Sequence, residues 1–188
     1  HEEPQGHGRP LGAVHGTDAD RRSWAQKRDD EEAELGRTAQ PYALIIGGGQ
    51  GGIALGARLR QLGVPSIVVD SHDRPGDQWR KRYKSLCLHD PVWYDHLPYM
   101  PFPATWPVFT PKDKMGDWLE MYVKVMELSY WGATECVSAQ FDEGEKRWTV
   151  KLLRDGKPIT LRPAQLVFAT GAYGPPRFID LPGAAEFK

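Results

Sequence analysis

Cysteine is scarce in this chain: Cys87 and Cys136 are the only two in 188 residues, and they lie far apart. That excludes a disulfide framework and any C-x-x-C redox or zinc motif. A reducing, cytoplasmic compartment is the expectation. Net charge is equally slight, −1 with a pI near 6.7, so no global field recruits nucleic acid or an anionic membrane. No apolar run is long enough to span a bilayer, and no signal-peptide pattern opens the chain. A chain of this length holds one good core, with room for a tail.

Apolar residues are sparse over residues 1–40, which carry nine acids and six bases, with a charged block from Asp29 to Glu34. Arg21 to Leu35 has the pattern of a short helix, but alone it buries little. Residues 1–40 read as a polar linker or the tail of a missing upstream domain, and 41–188 as the folded domain. The chain begins at His1 rather than Met and stops at Phe187-Lys188 without a turn signal, as an incomplete fragment does.

What is present begins at Tyr42-Ala-Leu-Ile-Ile-Gly-Gly-Gly-Gln-Gly-Gly-Ile53. Gly47, Gly49 and Gly52 satisfy G-x-G-x-x-G, a weak signal alone, so context decides. Tyr42 to Ile46 is apolar throughout, as a parallel strand covered on both faces should be. Ala54, Ala57, Leu59 and Leu62 fit a helix that Gly63 and Pro65 end. Ile67-Val68-Val69 then stops at Asp70, 18 residues after Gly52. An acid about 20 residues past such a loop meets the ribose hydroxyls of a dinucleotide. Gly47 permits the turn, Gly49 lets the backbone approach a pyrophosphate, and Gly52 lets helix pack on strand. The helix N-terminus offers free N–H groups to the phosphates. This is a dinucleotide-binding βαβ unit, and Asp70 argues against a 2′-phosphate there.

Ser71 to Phe109 is irregular. Asp73-Arg-Pro-Gly76-Asp-Gln-Trp79 reads as a loop, and Arg80 to Lys84 as a basic cluster on a solvated face. Leu86-Cys-Leu-His-Asp-Pro91 follows, then Trp93, Tyr94, Tyr99, Phe102, Trp106 and Phe109 among prolines. So long a non-repetitive passage is often functional, although most of these aromatics should simply pack the loop onto the sheet. Cys87 reads as a small buried hydrophobe. Thr110 suits the N-cap of a helix, with Pro111 in its first turn and Asp113 completing a capping box. Trp118, Leu119, Tyr122, Val125, Met126 and Leu128 give that helix an apolar face. Glu135 to Phe141, Arg147 to Arg154 and Pro158 to Leu161 form an antiparallel meander, turning at Asp142-Glu-Gly144 and Asp155-Gly156. Gln165 to Gly171 again has a buried-strand pattern, so Gly47, Asp70 and Thr170 converge at the carboxyl ends of three strands.

The ordered motifs Gly47-x-Gly49-x-x-Gly52, Gly76-Asp-Gln-Trp79, Leu86-Cys-Leu-His89-Asp-Pro91, Leu97-Pro to Pro103 and Ala169-Thr-Gly171 carry a resemblance. Over roughly residues 41–188 the chain resembles the FAD-binding part of the flavin-containing monooxygenases, class B flavoprotein monooxygenases related to the Baeyer–Villiger enzymes. The resemblance implies an α/β, Rossmann-like FAD-binding domain of the two-dinucleotide flavoprotein type, with a parallel sheet and an antiparallel β-meander. It implies FAD along Gly47, Gly49, Gln50, Gly51 and Gly52, with Asp70 on the adenosine ribose where Glu is more usual. Gln78, Trp79, Leu88 and His89 would lie toward the flavin, Val137 would meet the adenine through its backbone, and Thr170-Gly171 would close the site.

The resemblance further implies an enzyme of the N,N-dimethylaniline monooxygenase type. NADPH reduces FAD, and a C4a-(hydro)peroxyflavin passes one oxygen atom from O2 to a soft nitrogen or sulfur centre of a small-molecule substrate. The cofactor carries that chemistry, so no catalytic acid, base or metal ligand is assigned. His89 before Asp-Pro is a structural hydrogen-bonder or a holder of the flavin ring. The family's second glycine fingerprint, for NADPH, has no match here, and its F-x-G-x-x-x-H signature would begin at Phe187. Two other readings stay open: another FAD-dependent pyridine-nucleotide oxidoreductase, disulfide-reductase-like or Baeyer–Villiger, and a non-catalytic dinucleotide-binding sensor. Substrate and oligomeric state are not legible.

Overall fold

The computed structural model describes residues 41–172, 179, 181–184 and 186. The expected helix at Arg21 to Leu35, the linker reading of 1–40 and Phe187 lie outside them. Two sheets form. Strands β1 (Ala43–Ile46), β2 (Ser66–Val69), β3 (Tyr130–Trp131) and β7 (Gln165–Phe168) make a parallel sheet in the order β3-β2-β1-β7. Strands β4 (Thr134–Asp142), β5 (Arg147–Arg154) and β6 (Lys157–Leu161) make the antiparallel meander. The α/β class and the meander are as the sequence predicts; β3, only two residues long, gives no sequence signal.

β1 sits between β2 and β7 and is buried along its whole length, which explains its unbroken apolar run. Helix α1 (Gln50–Gln61) returns from β1 to β2, placing Ile53 and Ala57 in the core. Arg58 and Arg60 in its last turn complement the helix dipole. Gly63, at φ +70°, ends it, with the Val64 amide donating to the Leu59 carbonyl. Short helix α2 (Asp77–Arg80) and helix α3 (Lys112–Val125) follow. Met115, Leu119, Tyr122 and Val123 of α3 meet Ile53 and Ala57 of α1 in one core cluster. Fully buried aliphatic side chains such as Ile53 and Leu119 each contribute roughly 1.5–3 kcal/mol.

Several local expectations change. Thr110 is not the N-cap of α3; Pro111 is, because Thr110 is drawn into an extended pairing in which its carbonyl accepts the Leu88 amide. Asp113 bonds the Lys112 ammonium instead of closing a capping box. Val125 is exposed and Val123 takes its place in the core. Phe102 stacks on Trp106 at 4.7 Å and both meet Trp118 edge-on, so these aromatics pack the loop onto α3 rather than the sheet. Trp93, Tyr94, Tyr99 and Phe109 remain exposed. β7 is half-open, not buried: among the described strands it pairs with β1 alone, as an edge strand. The hairpin at Asp155-Gly156 has φ of +48° and +74°, the signature of a tight type I′ turn.

Candidate dinucleotide site

The glycine turn joins the carboxyl ends of three parallel strands. The Gly47 amide donates to the Val69 carbonyl at 2.8 Å, and the Ala169 amide to the Ile46 carbonyl at 2.7 Å. Gly47, Asp70 and Thr170 therefore converge. Gly47 has φ +111°, and a Cβ there would run into the Ala169 carbonyl. A Cβ on Gly52 would strike the Gly47 carbonyl, so its absence lets α1 pack directly on the turn. Gly51 faces open space, and a Cβ on Gly49 would meet only the Gln78 Nε2 at 3.4 Å. Gly49 caps α1 without any side-chain bond, and no acid occupies the first turn. No carboxylate thus stands in the first turn beside the helix N–H groups, which suits an anion.

Asp70 closes the far side of the turn. Its Oδ2 accepts the Gly48 amide at 2.6 Å and its Oδ1 accepts the His72 amide at 2.8 Å, with the His72 Nδ1 2.7 Å from the same oxygen. Behind Gly48 stands Tyr130, whose ring fills the space a side chain would need and whose hydroxyl points at the Gly48 carbonyl, 3.5 Å away. Burial, with the Asp70 and Asp77 charges behind it, pushes this phenol far above its usual value, so it remains a donor. Sequence reasoning missed both Tyr130 and His72. Only the tertiary fold brings Tyr130 to the turn; His72, two residues past the acid, carried a local signal.

α2 supplies the facing wall. Gly76, at φ +87°, caps it and lies against the backbone of Gly116 in α3, too close for a side chain. Asp77 accepts from Arg74 Nε at 2.9 Å and from Arg80 at 3.0 Å. Arg80 also reaches Asp117 at 2.8 Å and Glu120 at 2.9 Å, and its carbonyl accepts from Lys112 Nζ at 2.8 Å. Burial alone would raise the Asp77 carboxyl, but the Arg80 and Arg74 hydrogen bonds outweigh it and hold it below the usual range. Arg80 is thus a brace rather than part of a solvated basic face, while Lys81, Arg82 and Lys84 are exposed. The brace aims the next residues at the turn. The Trp79 Nε1 donates to Gln50 Oε1 at 3.2 Å, and the Gln78 amide lies beside Gly49.

The structure brings together Gly47, Gly49, Gln50, Gly52, Asp70, Gln78, Trp79 and Thr170, with Gly51 open beside them. Leu88 packs, with Trp79, against the core cluster that contains Ile53 and Ala57. Leu86 and Leu88 are half-buried while Cys87 and His89 are exposed, the alternation of an extended segment, so Cys87 is not the buried hydrophobe expected. Val137 sits exposed in β4 at a register shift between Cys136 and Ser138, opposite no residue of β5. Gly171, at φ +86°, is exposed beyond β7. Among the described residues no helix is long and apolar enough to cross a membrane.

Fold and site together define a Rossmann-type dinucleotide-binding domain carrying an antiparallel meander. No protein-family profile matches the chain. It is 36% identical over 162 residues to the indole-3-pyruvate monooxygenase YUCCA1 of rice (Oryza sativa subsp. japonica), covering 85% of this chain and 39% of that protein. Among solved structures it is similar to a flavin-containing monooxygenase from Stenotrophomonas maltophilia, with a TM-score of 0.63 and 26% identity over 73% of this chain and 41% of the other. It is also similar to cyclohexanone monooxygenase, with a TM-score of 0.68 and 26% identity over 79% of this chain and 30% of the other. The chain spans well under half the length of these relatives. It belongs to the class B flavoprotein monooxygenase family.

Proposed function

We propose that this chain is the FAD-binding part of an NADPH-dependent flavin monooxygenase. The observation that carries the reading is the glycine turn: an uncapped, acid-free helix N-terminus faced by the buried Gln78 amide, whose two polar atoms have no hydrogen-bond partner. The residues present fit a dinucleotide. N–H groups of Gly49 to Gly52 hold its pyrophosphate, and Asp70, which keeps lone pairs free beyond the Gly48 and His72 bonds, holds the adenosine ribose. The bulge at Val137 takes its backbone out of the β5 ladder, which supports a contact to adenine. Trp79, Leu88 and His89 border the flavin, and Thr170-Gly171 close the site. FAD, when bound, supplies the redox chemistry by accepting hydride from NADPH and delivering one oxygen atom from O2 to substrate. The protein's part is to bind, orient and exclude water.

NADPH binds through sequence other than the described residues. A soft nitrogen or sulfur acceptor, as in the N,N-dimethylaniline type, is one substrate reading. A second is favoured by the names of the relatives: indole-3-pyruvate and cyclohexanone are carbonyl compounds, which points to oxygen transfer at a carbonyl carbon. Cytoplasmic residence completes the proposal, with both cysteines free thiols.

A visible absorption spectrum after reconstitution with FAD and removal of free ligand tests this. Retained flavin bands, lost in Gly49→Val, are expected. A folded but colourless wild-type chain would sink the reading.

A further inference from the structure

Gly48 is gripped at both of its backbone polar groups. Its N–H is taken by the Asp70 carboxylate at 2.6 Å, and its carbonyl faces the Tyr130 hydroxyl at 3.5 Å. The second contact is long for an O–H donor, so what it supplies is direction more than strength. The phenol comes from β3, 82 residues further along the chain, and its ring packs against the core cluster that contains Ile53 and Leu128. A phenylalanine ring would fill the same space. The hydroxyl therefore needs a reason of its own.

The reason lies in the next peptide plane. The Gly48 carbonyl and the Gly49 N–H belong to one trans peptide unit, so they point in opposite directions. With the carbonyl turned toward Tyr130, the Gly49 N–H is turned away from it, and it has no partner among the described residues. Gly49 is the N-cap of α1, so this N–H stands beside the free N–H groups of the first helical turn. Two consecutive glycines offer little steric resistance to rotating the peptide between them. A flipped peptide would present its carbonyl oxygen to an incoming phosphate and repel it. The charges behind the turn favour that flip. Asp70 and Asp77 both act on the Tyr130 hydroxyl, and a bare carbonyl dipole aimed the same way would meet their negative charge. The phenol interposes a proton, which burial and those two charges keep in place.

We propose that Tyr130 is a positioning residue: by donating its hydroxyl to the Gly48 carbonyl, it holds the Gly48–Gly49 peptide with the Gly49 N–H turned out to a phosphoryl group. Asp70 fixes the peptide before Gly48, and Tyr130 fixes the one after it. This rests on the FAD reading above. It adds the side chain that keeps the glycine turn set for phosphate before any ligand arrives.

The test measures dissociation constants for FAD, by flavin fluorescence, and for ADP and adenosine, by competition against FAD. In Tyr130→Phe, which keeps the ring, FAD and ADP are expected to weaken alike, roughly fivefold, as for one hydrogen bond. Adenosine has no phosphate and is expected to bind as it does to the wild type. A glycine-labelled nitrogen NMR spectrum gives a second signature. The Gly49 cross-peak, identified by its loss in Gly49→Ala, should be single in the ligand-free wild type and shifted or doubled in Tyr130→Phe. A merely structural role would move neither that cross-peak nor the ratio of ADP to adenosine affinity. Unchanged ADP affinity in the variant, or equal losses for ADP and adenosine, overturns the proposal while leaving FAD binding intact. A wild type that holds neither FAD nor ADP overturns the parent reading instead. Should Tyr130→Phe not fold, Tyr130→Met carries the same comparison. If neither folds, the hydroxyl is a requirement of the fold and the positioning role is overturned.

Discussion

Asp70 accepts the backbone amide of Gly48 at 2.6 Å, so the acid at the end of β2 is tied to the glycine turn at the end of β1. The carboxylate is part of the scaffold before any ribose arrives. Gly48 is buried, and removing its acceptor strands that N–H. Asp70→Ala should cost about 1.5–3 kcal/mol in chemical denaturation, the range for a bond to a charged group. Asp70→Asn retains an acceptor oxygen and should cost less. Equal losses for the two variants would show that the Gly48 bond is not what Asp70 contributes.

Gly48 also meets Tyr130 from behind. Gly48→Ala drives a methyl into the phenol ring, and overpacking of this kind costs typically 1–3 kcal/mol. Tyr130→Ala opens the space. The double variant should therefore lose less stability than the two single losses added together. Simple additivity in urea melts would refute the contact.

Acid should loosen the facing wall. Burial works to raise the Asp77 carboxyl, but hydrogen bonds from Arg80 and Arg74 and their charges hold it below its ordinary value. Glu120 is lowered too, first by its bond to Lys124. A carboxyl lowered on folding adds stability that is complete above its unfolded value, about 4, and drains away as pH falls through the folded one. Stability should hold level from pH 7 to about 5 and decline below about 4. Asp77→Asn should be less stable at pH 7 yet lose less on acidification. Parallel pH profiles for the two proteins would contradict this.

His89 is exposed, so truncating it removes little packing. His89→Ala should stay within about 0.5 kcal/mol of wild-type stability while retaining less flavin through dialysis. Unchanged flavin content would take His89 out of the site.

The two thiols should separate by reactivity. Cys87 is exposed, while Cys136 is half-covered and its thiol is raised by burial and then by Glu135. A maleimide should label Cys87 first in the native chain, and Cys136 fully only on unfolding. Labelling at equal rates would count against the placement of these residues.

What the sequence made legible was local. The all-apolar β1, the glycine spacing and the paired turn residues Asp155-Gly156 each encode structure within a few positions, and β1, α1 and the meander strands fall where those signals put them. What it hid was tertiary. β3 is too short to show a period, and Tyr130 matters only because parallel pairing places it against a turn 82 residues earlier. Cys87 misled because an apolar-looking tripeptide, Leu-Cys-Leu, is here an extended segment whose alternate side chains face outward. Arg80 read as one of four surface cations because its acids, Asp117 and Glu120, lie on another helix.

The backbone contact between Gly76 and Gly116 makes α3 the datum from which the far wall of the turn is measured. Between them runs the long proline-rich passage, anchored to α3 by Leu97, Phe102 and Trp106 but exposed at Trp93 and Tyr94. Extra residues inserted at its exposed tip, near Trp93 and Tyr94, should be absorbed as slack. A single methyl on Gly76 has no slack to enter, since it runs into the Gly116 backbone, and must lever Gln78 and Trp79 away from Gly49 and Gln50. Tolerance in this domain is therefore inverted with respect to size: a whole loop can grow where one carbon atom cannot be added.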